Sequence, residues 1–322
     1  MTDRITSGLS PFTDAAVVLK GHDLTGRNAI VTGGATGIGI ETVRALAGAG
    51  AHVTIAVRNR AAGEAAAAEV NAKVGANRAS VGMLDLSDLA TVAAFVQTWG
   101  DKPLHMLINN AGVMACPLSY TTDDLEMQLG TNHFGHFVLG VGLARALMNG
   151  AEDGRTARVV SLSSIAHRRS GMNFDDPHYR TRDYDKWDSY GQSKTANALF
   201  AVGFNKRFAD LGVTANSVMP GGIMTPLQRH LPREEMIAMG WMNEEGVVAQ
   251  GFKTPAQGAS TSVWAAVGPE LEGVGGLYLE DLGQAITFSL EARAGVMDYA
   301  LDPEAAERLW ALSEETTGLR VG

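Results

Sequence analysis

The chain has 322 residues, 45% hydrophobic and 19% charged, with a formal net charge of -9. Scattered Lys and Arg on an acidic background exclude a phosphate-tracking nucleic-acid surface. The single cysteine, Cys116, excludes an intrachain disulfide, so the cytoplasm is the expected location. No stretch reaches the ~18 uninterrupted apolar residues of a membrane span. The first twenty residues mix charged, polar and turn residues without the apolar centre of a signal peptide. Residues 1–23 read as an N-terminal extension and 24–322 as one folding unit, since α/β domains of about 250 to 300 residues often fold as one.

Residues 28–32 (NAIVT) are a short apolar run that meets a Gly-rich turn, and 38–48 is helical in pattern, giving strand, turn and helix. Residues 52–57 (HVTIAV) repeat the strand signal, and 59–74 is Ala-rich with Glu and Lys interspersed, a good helix former. Further buried-strand candidates lie at 81–84, 106–109, 159–162 and 214–218, separated by helical stretches. This alternation predicts an α/β fold: a doubly wound, mostly parallel Rossmann-type sheet with helices on both faces, in a single domain. Residues 166–189 are charged and rich in His, Arg, Asp and Tyr. They read as an insertion loop in which His167, Arg168 and Arg169 are solvated near Asp175, Asp176 and Asp183. Residues 225–252 are Met-rich, punctuated by Pro226 and Pro232, and long enough to form a substrate lid. Thr254 and Pro255 open a helix, 276–279 supplies a last strand, and 303–313 (PEAAERLWALS) closes the chain as an amphipathic helix.

Two motifs carry chemistry. Thr32-Gly33-Gly34-Ala35-Thr36-Gly37-Ile38-Gly39 lies between the first strand and its helix, where backbone N–H groups can receive a pyrophosphate. The spacing G-x-G-x-x-G is not met, because Thr42 stands where the third glycine would be; taken alone, the segment is also compatible with a plain tight turn. Tyr190 and Lys194 are four apart and share a helical face. A phenol has a pKa of about 10, and a neighbouring ammonium favours the phenolate, so the spacing suits acid-base work. By itself it suits a solvated helix face equally well.

In their order along the chain these motifs resemble the short-chain dehydrogenase/reductase family, over residues 24–279. The T-G-x-x-x-G-x-G pattern falls on Thr32 to Gly39. The resemblance implies adenine contact at Asp85, beside Leu86, and a cofactor floor at Asn109-Asn110-Ala111-Gly112. It implies a catalytic set of Asn132, Ser164, Tyr190 and Lys194, with Asn132 anchoring a proton-relay water. Pro220-Gly221-Gly222, with Ile223 and Thr225, matches the turn that meets the nicotinamide carboxamide. The segment before Tyr190, the run Ala56-Val57-Arg58-Asn59 and the run from Asn132 to Phe137 are similar to the retinol-dehydrogenase-like subgroup.

The expected reaction is hydride exchange between a nicotinamide cofactor and a carbonyl or alcohol, with Tyr190 as acid or base, Ser164 holding the oxygen, and Lys194 lowering the Tyr190 pKa and gripping the ribose. The strand 52–57 ends in Arg58-Asn59-Arg60 with no nearby acid, which favours NADP(H) over NAD(H). Met224, Leu227, Trp241 and Met242 are the expected substrate contacts, suiting a lipophilic alcohol, aldehyde or ketone. No metal is expected, and His133 and His136 read as packing or surface residues. A homo-oligomer is compatible with the family. A carbon–carbon double-bond reductase and a non-catalytic dinucleotide-binding regulator are the competing readings.

Overall fold

The computed structural model describes residues 4–151, 154–292 and 294–321. Eight strands form one sheet in the order β3-β2-β1-β4-β5-β6-β7-β8. They are β1 (Asn28–Thr32), β2 (His52–Val57), β3 (Ala79–Met83), β4 (Met106–Asn109), β5 (Ala157–Leu162), β6 (Val213–Met219), β7 (Tyr278–Glu280) and β8 (Gly283–Gln284). β1 to β7 pair in parallel, and β8 returns antiparallel on β7. Every residue of β5 and β6 is buried, as a parallel sheet covered on both faces requires.

Two strand readings need correction. β3 starts two residues earlier and ends one residue earlier than its apolar run suggests, because it is the edge strand and leaves Ser80 and Met83 exposed. Residues 276 and 277 precede β7 rather than belonging to it, and β8, only two residues long, has no pattern to betray it.

The N-terminal stretch packs from residue 4 onward. Thr6 bridges Gly283 antiparallel, and the Ser7 N–H donates to the Leu282 carbonyl at 3.0 Å. A one-turn helix, Ala15–Val18, places Ala15, Val18 and Leu19 in the main apolar core.

The segment read as a solvated insertion is held tightly. The Asp176 carboxylate accepts the N–H groups of Arg180 (2.8 Å), Thr181 (2.9 Å) and Arg182 (3.1 Å). His167 is fully buried, and Arg168 pairs with Glu280 at 3.4 Å; both are drawn inward by the C-terminal quarter of the chain. Residues 186–189 are already helix, because Asp185 caps the N–H groups of Trp187 and Asp188 and starts Lys186–Phe208. The closing helix, Pro303–Thr317, buries Ala306, Leu309 and Trp310, with the Trp310 ring stacked parallel to Phe200 of the long helix. Among the described residues no helix is long and apolar enough to cross a membrane.

Candidate active site

The strand order reverses between β1 and β4, and a crevice opens at the carboxyl ends of the strands there. Thr32 stitches its two sides together. Its hydroxyl oxygen accepts the N–H groups of Asn110 and Ala111, both at 2.9 Å, and its carbonyl accepts the Asn110 side-chain amide at 2.8 Å. A cavity of about 760 Å³ runs along this seam.

The Gly-rich turn forms one wall. Gly33 has φ +65, and a Cβ there would stand 3.1 Å from the Ala111 Cα; a Cβ on Gly39 would run into the Gly33 carbonyl. Side chains at these places would fill the cradle. Thr36 makes no side-chain capping bond to helix Gly37–Gly48. First-turn N–H groups therefore remain for an anion at a wall lined by Thr36, Gly37, Ile38 and Gly39. Opposite lie Asn110, Ala111 and Gly112, and the far side is Pro220, Gly221, Gly222, Ile223 and Thr225. The chain thus offers an elongated, dinucleotide-sized site with donors at its centre.

At one end, Ser164, Tyr190 and Lys194 line the same cavity. Ser164 follows β5, while Tyr190 and Lys194 occupy successive turns of the long helix. Tyr190 and Lys194 are each only 4% exposed. Burial pushes the Tyr190 phenol up to about 12, with a side-chain hydrogen bond to Ser164 pulling the other way. Burial brings the Lys194 ammonium down to about 7. The expectation that Lys194 lowers the Tyr190 pKa is therefore not met in the protein alone. The Lys194 Nζ donates to the Leu162 carbonyl at 2.9 Å and lies 5.7 Å from the Tyr190 ring centre, and desolvation is the leading cause of the shift in both groups.

Asn132 is buried in a single π-helical turn, Gly130–Phe134. Its Nδ2 donates to the Val113 carbonyl (3.0 Å) and the Ser193 hydroxyl (2.9 Å), and its Oδ1 accepts the Val113 N–H at 2.8 Å. Both amide hydrogens are committed, so the side chain ties the 112–113 turn to the long helix. His136 extends the bracing: Nδ1 donates to the Asn132 carbonyl and Nε2 accepts the Thr32 hydroxyl, each at 2.9 Å. Burial depresses its pKa to about 4 and that of His133 to about 3, as packed neutral rings require.

At the opposite end the lining includes Arg58, Asn59, Asp85 and Leu86. Asn59 Oδ1 caps helix Arg60–Val74 through the Ala62 N–H at 3.0 Å. Asp85 Oδ1 accepts the Ser87 N–H and hydroxyl at 3.0 and 2.6 Å. Arg58 enters no ion pair among the described residues. Arg229, from the short turn Pro226–His230, lines the cavity too, and burial followed by repulsion from Arg58 lowers its pKa.

Residues 226–252 supply one side of the cavity lining and are tied together at their ends. Lys253 is bonded to the Gly222 carbonyl and to Asp281, at 2.8 and 2.6 Å. In between, Glu235 accepts from Lys186 Nζ at 2.6 Å and Trp187 Nε1 at 2.9 Å, pinning helix Arg233–Ala238 to the start of the long helix. Leu227 and Trp241 line the cavity, but Met224 and Met242 do not; Met242 instead bridges Val248 within the segment. Trp187, Met239, Phe252 and Arg229 line it as well. Of these, Trp187 was open to discovery from sequence, three residues before Tyr190 on one helical face.

The sequence profile of the short chain dehydrogenase family matches residues 27–236. A Streptomyces lividans protein named "Probable oxidoreductase" is 49% identical over 299 residues, 91% of this chain and 98% of that protein. Mouse (Mus musculus) retinol dehydrogenase 12 is 39% identical over 311 residues, covering 96% and 92%. Among solved structures, the Pseudomonas aeruginosa RhlG/NADP active-site complex superposes with a TM-score of 0.59 at 25% identity, covering 76% of this chain and 90% of that one.

Proposed function

The chain is an oxidoreductase of the short-chain dehydrogenase/reductase family, retinol-dehydrogenase-like within it, and from that premise we propose that it transfers hydride between NADP(H) and the carbonyl or alcohol of a lipophilic small molecule. The observation carrying this reading is the convergence of Ser164, Tyr190 and Lys194 on the same cavity that the Gly-rich turn lines. Bound nicotinamide supplies or takes up the hydride; the chain's own groups orient the substrate and manage the proton. Ser164 hydrogen-bonds the substrate oxygen. Tyr190, whose pKa is held up at about 12, keeps its proton at neutral pH and gives it to that oxygen as the carbonyl is reduced. Lys194 meets the ribose hydroxyls, and a pKa near 7 lets its charge respond to what binds beside it.

NADP(H) is favoured over NAD(H) because Arg58 follows β2 with no acidic residue beside it in the sequence. Arg229 across the cavity adds a second cation, and mutual repulsion makes both receptive to a phosphate. The lipophilic substrate class is supported by Met114, Leu227, Met239, Trp241 and Phe252 in the lining. The enzyme is read as cytoplasmic and acting on a small molecule.

The test is a panel of decanal, all-trans-retinal, acetophenone and cyclohexenone with NADPH and with NADH, following nicotinamide absorbance and identifying products. The expected result is carbonyl reduction with higher kcat/KM for NADPH. A product saturated at the double bond with its carbonyl intact, or no turnover with either cofactor, would overturn the proposal.

A further inference from the structure

The family profile ends at residue 236, yet residues beyond it reach back to the catalytic serine. Ser164 leaves β5 in extended conformation, φ -163 and ψ 159, and enters the tight turn Ile165–Arg168. Its predecessor Ser163 is fixed on both sides, donating its N–H to the Val218 carbonyl and its hydroxyl to the Lys194 carbonyl, both at 2.8 Å. The Ser164 hydroxyl oxygen accepts the Ala166 N–H at 3.2 Å, and its main-chain oxygen accepts from three groups: the His167 N–H at 3.1 Å, His167 Nδ1 at 2.7 Å and the Tyr278 hydroxyl at 3.1 Å.

The tautomer follows from the neighbours. The Met297 N–H donates to His167 Nε2 at 3.2 Å, so Nε2 is the acceptor and Nδ1 carries the hydrogen given to Ser164. The Tyr278 oxygen lies 3.0 Å from the same Nδ1, closing a compact network. Tyr278 stands on β7, with β6 between it and β5. The Tyr299 hydroxyl donates to the His167 carbonyl at 2.7 Å, and Arg168 Nε donates to the Gly295 carbonyl at 2.9 Å. His167 and Tyr278 are 0% and 1% exposed, so these bonds are shielded from water. Burial depresses the His167 pKa to about 4 and keeps the ring neutral at ordinary pH.

We propose that Tyr278 and His167 are positioning residues: by saturating the Ser164 main-chain oxygen they fix where the Ser164 hydroxyl meets the reacting oxygen of the substrate. Neither touches the substrate; both act through Ser164. The inference rests on the proposed role of Ser164.

The test uses the full chain and NADPH-dependent reduction of whichever aldehyde or ketone in the panel above turns over fastest. An Asn side chain places its amide nitrogen where His167 has Nδ1, whereas Gln reaches toward Nε2. His167→Asn keeps the donor to Ser164 and loses the acceptor for Met297; His167→Gln does the reverse. Tyr278→Phe and His167→Gln are expected to lower kcat about tenfold, the rate equivalent of one hydrogen bond, with KM for NADPH changed less than about twofold. His167→Asn should recover most of that kcat, even if its thermal midpoint falls as far as that of His167→Gln.

Ser164→Ala closes the cycle. Adding Tyr278→Phe to Ser164→Ala should cost less than about twofold more, because the hydroxyl being positioned is gone. Full multiplication of the two effects would make Tyr278 a general structural support and overturn the inference, as would Tyr278→Phe and His167→Gln enzymes with wild-type kcat while Ser164→Ala is impaired. Should Tyr278→Phe fail to fold, the Asn against Gln comparison decides alone. A Ser164→Ala enzyme with wild-type kcat removes the premise, and the inference with it.

Discussion

The strands beneath the cavity and the 226–252 segment of its lining are built differently. β5 and β6 are buried at every position, and the residues beneath the site are braced by short bonds among Thr32, Asn110, Asn132 and His136. In 226–252 only Leu231 is buried, and the segment is held by its two ends and by Glu235. A floor made this way fixes reacting groups and resists change. A lining segment with little core of its own can change its side chains at small cost in stability, so substrate choice can vary over constant chemistry. The two regions should therefore fail differently: floor substitutions in rate, lining-segment substitutions in selectivity.

The largest effect is expected in the floor. Tyr190→Phe keeps the ring within its apolar neighbours Met114, Ala115 and Leu231 and deletes the proton donor, lowering kcat by roughly 10² to 10⁴ with cofactor affinity and thermal midpoint nearly unchanged. Steady-state kinetics beside a melting curve would check it, and turnover near wild type would move the acid elsewhere.

Acid should also strike the floor first. His133, His136 and His167 are buried, with pKa values held near 3, 4 and 4 chiefly by desolvation. Each folded-state value lies below the unfolded value of about 6.5, so from there down toward 4 the unfolded chain takes up protons that the folded one refuses. Stability is thus present above about 6.5 and lost as pH falls through this window, at up to about 1.4 kcal/mol per histidine per pH unit. Denaturant titrations at several pH values would show the loss; a flat profile from 6.5 to 4.5 would mean the rings are charged or relaxed in the native state.

The same contrast explains what could be read from sequence. Strand runs and the Gly-rich turn were legible because local pattern and burial agree there, and the Tyr190 and Lys194 pair was legible from its spacing alone. Three features were not. His167 and Arg168 read as solvated because their partners Tyr278, Glu280 and Met297 lie more than a hundred residues away. Tyr190 and Lys194 sit in a drier place than helical spacing reveals, so burial, not their mutual attraction, sets their pKa values. Methionine content singled out the segment as a whole, but only the folded path shows that Trp241 lines the cavity and Met242 pairs along the segment.

Cofactor choice falls between the two regions, since Arg58 belongs to the floor and Arg229 to the lining segment. Arg58→Asp should raise KM for NADPH by roughly 10- to 100-fold, as loss of a charge-assisted phosphate contact implies, and leave NADH unchanged or improved. Arg229→Ala should show the same sign with a smaller size. Equal use of both cofactors by the wild type would remove the phosphate reading and leave Tyr190 untouched.

The smallest effect, and the one that separates the regions most sharply, is expected at Trp241. Its ring stands edge-on to Trp187, 6.0 Å between centres, and tilted at 6.2 Å from Phe252. It forms part of the cavity wall yet is only half-buried. Truncation to Ala removes apolar wall without opening the main core, so the thermal midpoint should move little. Each substrate should lose affinity according to how much of it lies against the indole: KM for all-trans-retinal should rise about three- to tenfold, the worth of one partly buried aromatic contact. Decanal, thinner and more pliable, should change less, and KM for NADPH should hold because Arg58 and the Gly-rich turn are elsewhere. Measuring KM for both aldehydes and for NADPH with the same variant tests all three at once. A uniform fall in kcat across substrates, with a lowered midpoint, would show that the lining segment is core after all and that the contrast between the regions is one of exposure alone.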